Sequence, residues 1–89
     1  MTSRTTERFR SAYAELPEHI RRRARAAYRL FLDNPQHPSL RFKQIHPTRP
    51  IYSARVGLGY RALAVLDGDL AVWFWIGTHA DYDRLLRSL

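Results

Sequence analysis

The sequence predicts an α+β domain: an N-terminal helical hairpin packed on a curved antiparallel β-sheet, closed by a short C-terminal helix. Three observations predict it. Apolar residues recur at helical spacing up to Phe31 and at strand spacing from Leu40 onward. Pro17 and Pro35 divide the first half into two segments. Asp67-Gly68, a dipeptide that tolerates positive φ in a tight hairpin, sits between two apolar runs in the second half. With 89 residues and no cysteine, the chain is read as one domain over residues 1–89 with a small core and no disulfide to reinforce it.

Each element follows from local chemistry. Thr6 is placed to cap a first helix carrying Phe9, Tyr13 and Leu16, which ends at Leu16-Pro17. Pro17 suits the first turn of a second helix, with Ile20, Ala24, Ala27, Tyr28 and Phe31 on one face. Asn34-Pro35 stops that helix, and residues 35–39 form a turn-rich connection. Strands are predicted over residues 40–45, 51–56, 60–66 and 69–77, in an antiparallel meander. The last of these alternates Leu70, Val72, Phe74 and Ile76 against Ala71, Trp73 and Trp75, which predicts a central strand covered on both faces. Thr78 is placed to cap a closing helix over residues 79–86.

Charge narrows the partners. The formal net charge is +7, and all but one of the 15 basic residues are arginines. Residues 1–61 carry +9 and residues 62–89 carry −2. This imbalance favours a polyanion, either nucleic acid or an acidic protein, and arginine is the better residue for forked contacts to phosphate or carboxylate. Arg21, Arg22, Arg25 and Arg29 lie away from the apolar face of the second helix, and Arg41 follows the connection after it. The longest apolar run is too short to span a bilayer, and residues 1–7 contain no apolar signal core, so a cytoplasmic protein without membrane contact is expected.

The chemistry-bearing residues gather in the second half. Lys43, Arg55 and Arg61 fall on predicted strands. Arg61 either pairs with Asp67 or Asp69 or is free to meet an anion. His79, at the start of the closing helix, is the leading acid–base candidate, because histidine exchanges a proton near neutral pH; capping or packing is its other reading. Tyr82 shares its helical face, as a core contact or a proton donor. The remaining histidines show no ligand spacing, so neither a metal nor a cofactor is expected. Nucleophile elbows and phosphate-cradling glycine loops are missing from the sequence. Lys43, Arg55, Arg61, His79 and Tyr82 suit RNA cleavage by the RNA's own 2′-hydroxyl, which needs a base, an acid and cations around the phosphorane.

Four segments in order carry a resemblance: Leu16-Pro17, the run 34–40 (Asn-Pro-Gln-His-Pro-Ser-Leu), the run 55–63 around Gly59-Tyr60-Arg61, and the run 75–83 around Gly77-Thr78-His79. Over most of its length the chain resembles the RelE/ParE toxin superfamily of bacterial toxin–antitoxin systems. The resemblance implies a toxin of a type II system, a ribosome-dependent mRNA endonuclease held inactive by an acidic antitoxin. Arg61 matches a strand where ribonuclease members carry a phosphate-contacting arginine. His79 falls where some carry a catalytic histidine, and Lys43 lies near the strand where others carry a catalytic lysine. The superfamily's basic cluster is thin here, with a single lysine, and no terminal tyrosine or histidine tail follows the last helix. The superfamily also includes members that poison DNA gyrase without ribonuclease residues, and inert members, and these are the alternatives.

Overall fold

The computed structural model describes residues 1–89. The elements run β1 (Thr2–Thr5), α1 (Glu7–Ala14), α2 (Glu18–Asp33), a 3-10 turn (Pro38–Leu40), β2 (Lys43–Gln44), β3 (Ile51–Val56), β4 (Tyr60–Asp67), β5 (Leu70–Thr78) and α3 (His79–Ser88). The five strands form one sheet in the order β1-β5-β4-β3-β2. The α+β class, the helical hairpin and the closing helix are as predicted. So are the caps: Thr6 Oγ1 accepts from the Phe9 N–H and Thr78 Oγ1 from the Asp81 N–H, each at 3.1 Å. Gly68 turns β4 into β5 with φ +58°, and Gly57 takes φ +65° in the β3–β4 turn.

The sheet differs from the predicted meander in three places. β1 adds a fifth strand that runs parallel to β5, pairing Thr2 with Leu70 through Thr5 with Trp73, so the sheet is mixed. It places β5 one strand in from the edge, with β4 at the centre. The strand predicted over residues 40–45 shrinks to Lys43–Gln44. Pro38 opens a 3-10 turn there, His37 Nδ1 accepts from the Ser39 N–H at 3.2 Å, and Arg41 takes a left-handed φ of 45°. The turn drives Leu40 into the core, where it is 2% exposed.

The third difference is a bulge in β5. Leu63 pairs with Trp75 and Ala64 with Trp73, which leaves Phe74 as the extra residue. The bulge reverses the alternation, so the predicted grouping of Ile76 with Leu70, Val72 and Phe74 does not hold. Ala71 and Trp73 face the helices before the bulge, and Ile76 faces them after it.

The main core lies between the hairpin and this face, built by Ile20, Ala24, Phe31, Leu40, Ala54, Val56, Ala62, Ala64, Trp73 and Ile76 among others. Phe31 is its hub, 1% exposed and edge-on to both Phe42 and Trp73 at centroid distances of 5.0 and 5.1 Å. Ser3 Oγ ties the hairpin to the edge strand, accepting from Tyr28 Oη at 2.8 Å and Trp73 Nε1 at 2.9 Å.

Candidate functional site

Alternation along a strand and direct pairing across strands decide which side chains share the sheet's second face. Ala54, Val56, Ala62 and Ala64 point at the hairpin, so Arg55, Arg61, Ser53 and Leu63 leave from the other side. Lys43 pairs with Ser53 and joins them. Two adjacent rows result. One runs Arg55–Arg61–Gly77 across β3, β4 and β5, and the other runs Lys43–Ser53–Leu63–Trp75 across β2 to β5. The three strand-borne cations named from the sequence thereby start from one face, and Arg55 also lines a cleft beside Arg23, Ala27 and Leu30 of α2.

Arg55 and Arg61 stand directly opposite one another, an arrangement that like charges disfavour. Neither meets a carboxylate. Arg61 Nη1 donates to the Tyr60 carbonyl at 2.9 Å, and Arg55 Nε donates to the Gly57 carbonyl at 3.3 Å. The ion pair considered between Arg61 and Asp67 or Asp69 does not form; Asp69 lies 3.9 Å from the N-terminal ammonium. Both guanidinium groups are partly exposed and keep donors free. Lys43 is exposed at the rim and makes no ion pair.

His79 enters from the end of β5. Its N–H donates to the Gly59 carbonyl at 2.8 Å, which fixes the start of α3 beside the β3–β4 turn. Its side chain is 47% exposed, and Nδ1 lies 3.2 Å from Asp83 Oδ2 one helical turn on. The ring sits edge-on to Tyr82 at 5.6 Å. Tyr82 itself is 7% exposed, so it supports His79 from within the fold and offers no open ring to a base. Of its two readings, core contact or proton donor, this burial fits the core contact.

The helical arginines divide. Arg21 Nη1 donates to the Leu16 carbonyl and Arg25 Nη1 donates to Tyr13 Oη at 2.7 Å, while Tyr13 Oη reaches the Arg21 carbonyl at 3.4 Å. These contacts latch α1 onto α2; Arg21 is half-buried in the latch, while Arg25 stays exposed. Arg22, Arg29 and Arg41 are exposed and have no carboxylate partner. Arg25 and Arg29 also line an apolar groove of about 410 Å³ between the hairpin and the sheet, with Phe9, Tyr13, Tyr28 and Trp73.

Two residues near the site carry no functional reading from the sequence, although strand alternation groups Trp75 with Ala71 and Trp73, a grouping that the bulge overturns. Arg23 lies against Gly57, so that a Cβ there would meet its Cδ and Nη1 at 3.3 Å. Trp75 covers Gly77 in the row beside Arg61. The Trp-x-Gly spacing was a legible signal for the second, since residues two apart on a strand share a face. No group of histidines and carboxylates is arranged to hold a metal ion. No helix is long and apolar enough to cross a membrane.

Comparison with solved structures returns bacterial and archaeal toxins of this architecture. RelE in the RelB–RelE antitoxin–toxin complex of Methanococcus jannaschii superposes with a TM-score of 0.73 at 22% identity, over 90% of this chain and 95% of that one. YafQ from E. coli gives 0.72 at 13% identity over 90% and 94%. A chain of the RelBE2 toxin–antitoxin complex of Mycobacterium tuberculosis gives 0.64 at 28% identity over 90% and 92%. No curated protein sequence matches the chain. Residues 18–84, spanning most of the hairpin and all the strands that carry the candidate site, match the ParE-like toxin domain. The chain belongs to the ParE-like toxin domain family.

Proposed function

We propose that this protein is the toxin of a type II toxin–antitoxin pair and acts as a ribosome-dependent, metal-independent mRNA endonuclease. The observation that carries the reading is that Arg55 and Arg61 stand directly opposite in the β3–β4 register with no carboxylate partner, beside the turn to which the His79 N–H is tied. A phosphodiester placed between them would relieve their repulsion and accept their free donors.

In the proposed reaction a ribose 2′-oxygen attacks the adjacent phosphorus and loses its proton to a base. The bond to the 5′-oxygen breaks and that oxygen gains a proton, leaving a 2′,3′-cyclic phosphate and a 5′-hydroxyl. Arg61 and Arg55 hold the non-bridging oxygens, where charge accumulates in the phosphorane. His79 carries a proton to or from the reacting oxygens, held by Asp83 on one side and Tyr82 beneath. Lys43, at the rim of the neighbouring row, adds positive charge along the strand path. An acidic antitoxin is the proposed partner, supported by the antitoxin-bound state of the similar RelE structures. Arg22, Arg29 and Arg41 are the exposed cations available to it or to ribosomal RNA.

Induction in cells followed by mapping of mRNA 5′ ends tests the reading. Codon-phased cuts that vanish with Arg61→Ala or His79→Ala are expected. Growth arrest with intact mRNA and trapped gyrase–DNA complexes would overturn it in favour of a gyrase poison.

A further inference from the structure

Trp75 is the one aromatic side chain placed in the same two rows as the cations, and its setting differs from that of its neighbour Trp73. Trp73 is 3% exposed, packs edge-on to Phe31 and spends its indole N–H on Ser3 Oγ. Trp75 is partly exposed, meets no other aromatic ring, and its indole N–H has no acceptor in the protein. No buried side-chain polar atom in the protein lacks a partner, so that N–H is open to solvent.

Gly77 explains how the ring is held. A Cβ at that position would lie 2.6 Å from Cζ2 of Trp75, 3.0 Å from Cη2 and 3.3 Å from Cε2. Three contiguous ring atoms at such similar distances mean that the flat of the indole, not its edge, rests on the glycine. The bulge at Phe74 lies before this segment, so Trp75 and Gly77 share the face of Leu63 and Arg61, their cross-strand partners. The indole therefore lies beside Arg61, which in turn stands opposite Arg55.

We infer that Trp75, seated on Gly77, is a nucleobase platform: one unstacked base of a single strand lies on the indole while its phosphate lies on Arg61 and Arg55. An aromatic face takes any base, and the free N–H supplies one donor to a base-edge or sugar acceptor. The inference rests on the proposed action on RNA and names the residue that positions the strand there. Trp75 touches the bound strand and not the reacting atoms.

The test uses the whole protein and a strand that cannot be cleaved, a 2′-deoxy hexanucleotide, alongside the same strand with its bases removed at the central positions. The indole N–H resonances of the two tryptophans are followed by NMR, with Trp75→Phe used to assign them. The base-bearing strand is expected to move the Trp75 resonance and not that of Trp73, and to bind about tenfold more tightly than the abasic strand. Gly77→Ala, whose Cβ displaces the ring, and Trp75→Leu are expected to remove that tenfold advantage, read as the ratio of the two affinities in each variant. Equal affinity of the two strands, or an advantage that survives both substitutions, would overturn the platform. Unchanged backbone spectra show that each variant is folded. Cleavage is not read in this assay, so intact mRNA in cells with a shifted Trp75 resonance refutes the nuclease alone. Phased cuts with an unshifted resonance refute the platform alone.

Discussion

If Arg55 and Arg61 are opposed for an anion, the free protein must bear their repulsion, and that cost is measurable. Opposed residues of an antiparallel pair have Cβ atoms about 5 Å apart, and a charge separation of about 7 Å sets the scale if the side chains splay. In a water-like dielectric two such charges repel by about 0.6 kcal/mol, and the partial burial of both raises this toward about 2 kcal/mol. A single substitution also removes a hydrogen bond to the Gly57 or Tyr60 carbonyl, so single variants alone do not isolate the charge effect. A double-mutant cycle does. Arg55→Gln and Arg61→Gln each relieve the repulsion, whereas the double variant relieves it only once. Its stability gain should therefore fall short of the sum of the singles by about 0.5–1 kcal/mol in urea denaturation at about 0.01 M salt. At about 1 M salt the screening length contracts to about 3 Å and the coupling should fall below about 0.1 kcal/mol. A coupling of zero at low salt, or a favourable one, would show that the guanidinium groups have turned apart and that no anion site is held ready between them.

Three further outcomes are expected. Phe31→Ala should cost about 3–5 kcal/mol, a large part of the stability of a domain this size, read by thermal or urea unfolding; a loss under 1 kcal/mol would remove it as the hub of the core. Ser3→Ala should cost about 1–3 kcal/mol, because the Tyr28 hydroxyl and the Trp73 indole lose their shared acceptor, and amide exchange should quicken in β1. Asp83→Asn should change stability by less than about 0.5 kcal/mol, since the His79–Asp83 pair is half exposed, yet reduce phased cleavage in the mRNA-end assay by loosening the His79 ring.

The parts of the fold that were legible are those set by chemistry within a few residues. Thr6 and Thr78 bond the third residue after them, and Asp67-Gly68 turns the chain on its own geometry. β1 was hidden because Thr-Ser-Arg-Thr shows no apolar alternation; its pairing comes from the free edge of β5, almost seventy residues away. The bulge at Phe74 was hidden for the opposite reason. Every residue from Leu70 to Ile76 is apolar, so period two fits either phase and nothing marks where the phase slips. At the site, the sequence put Lys43, Arg55 and Arg61 on strands, but the pairing that aligns them is set by the register between strands and is not written in any one of them. The sequence could not decide between the two readings of Tyr82, nor show that Arg21 and Arg25 bond within the hairpin, since both depend on what α3 and α1 meet.

The division of the sheet's two faces explains why such a small domain can carry an unfavourable charge pair. Phe31, Trp73, Leu40 and Ile76 place the main core on the hairpin side, where the latch through Tyr13, Arg21 and Arg25 also lies. The cations leave from the other face, whose own burial is confined to Ile51, Ser53, Leu63 and Tyr82. Substituting Arg55 or Arg61 therefore touches few contacts that hold the fold. The glycine at 77 follows the same logic. It weakens its strand, as glycine does, but it lets an indole lie flat where any Cβ would lift it. Stability is concentrated on one face, which leaves the other free to hold side chains in arrangements that contribute little to the fold.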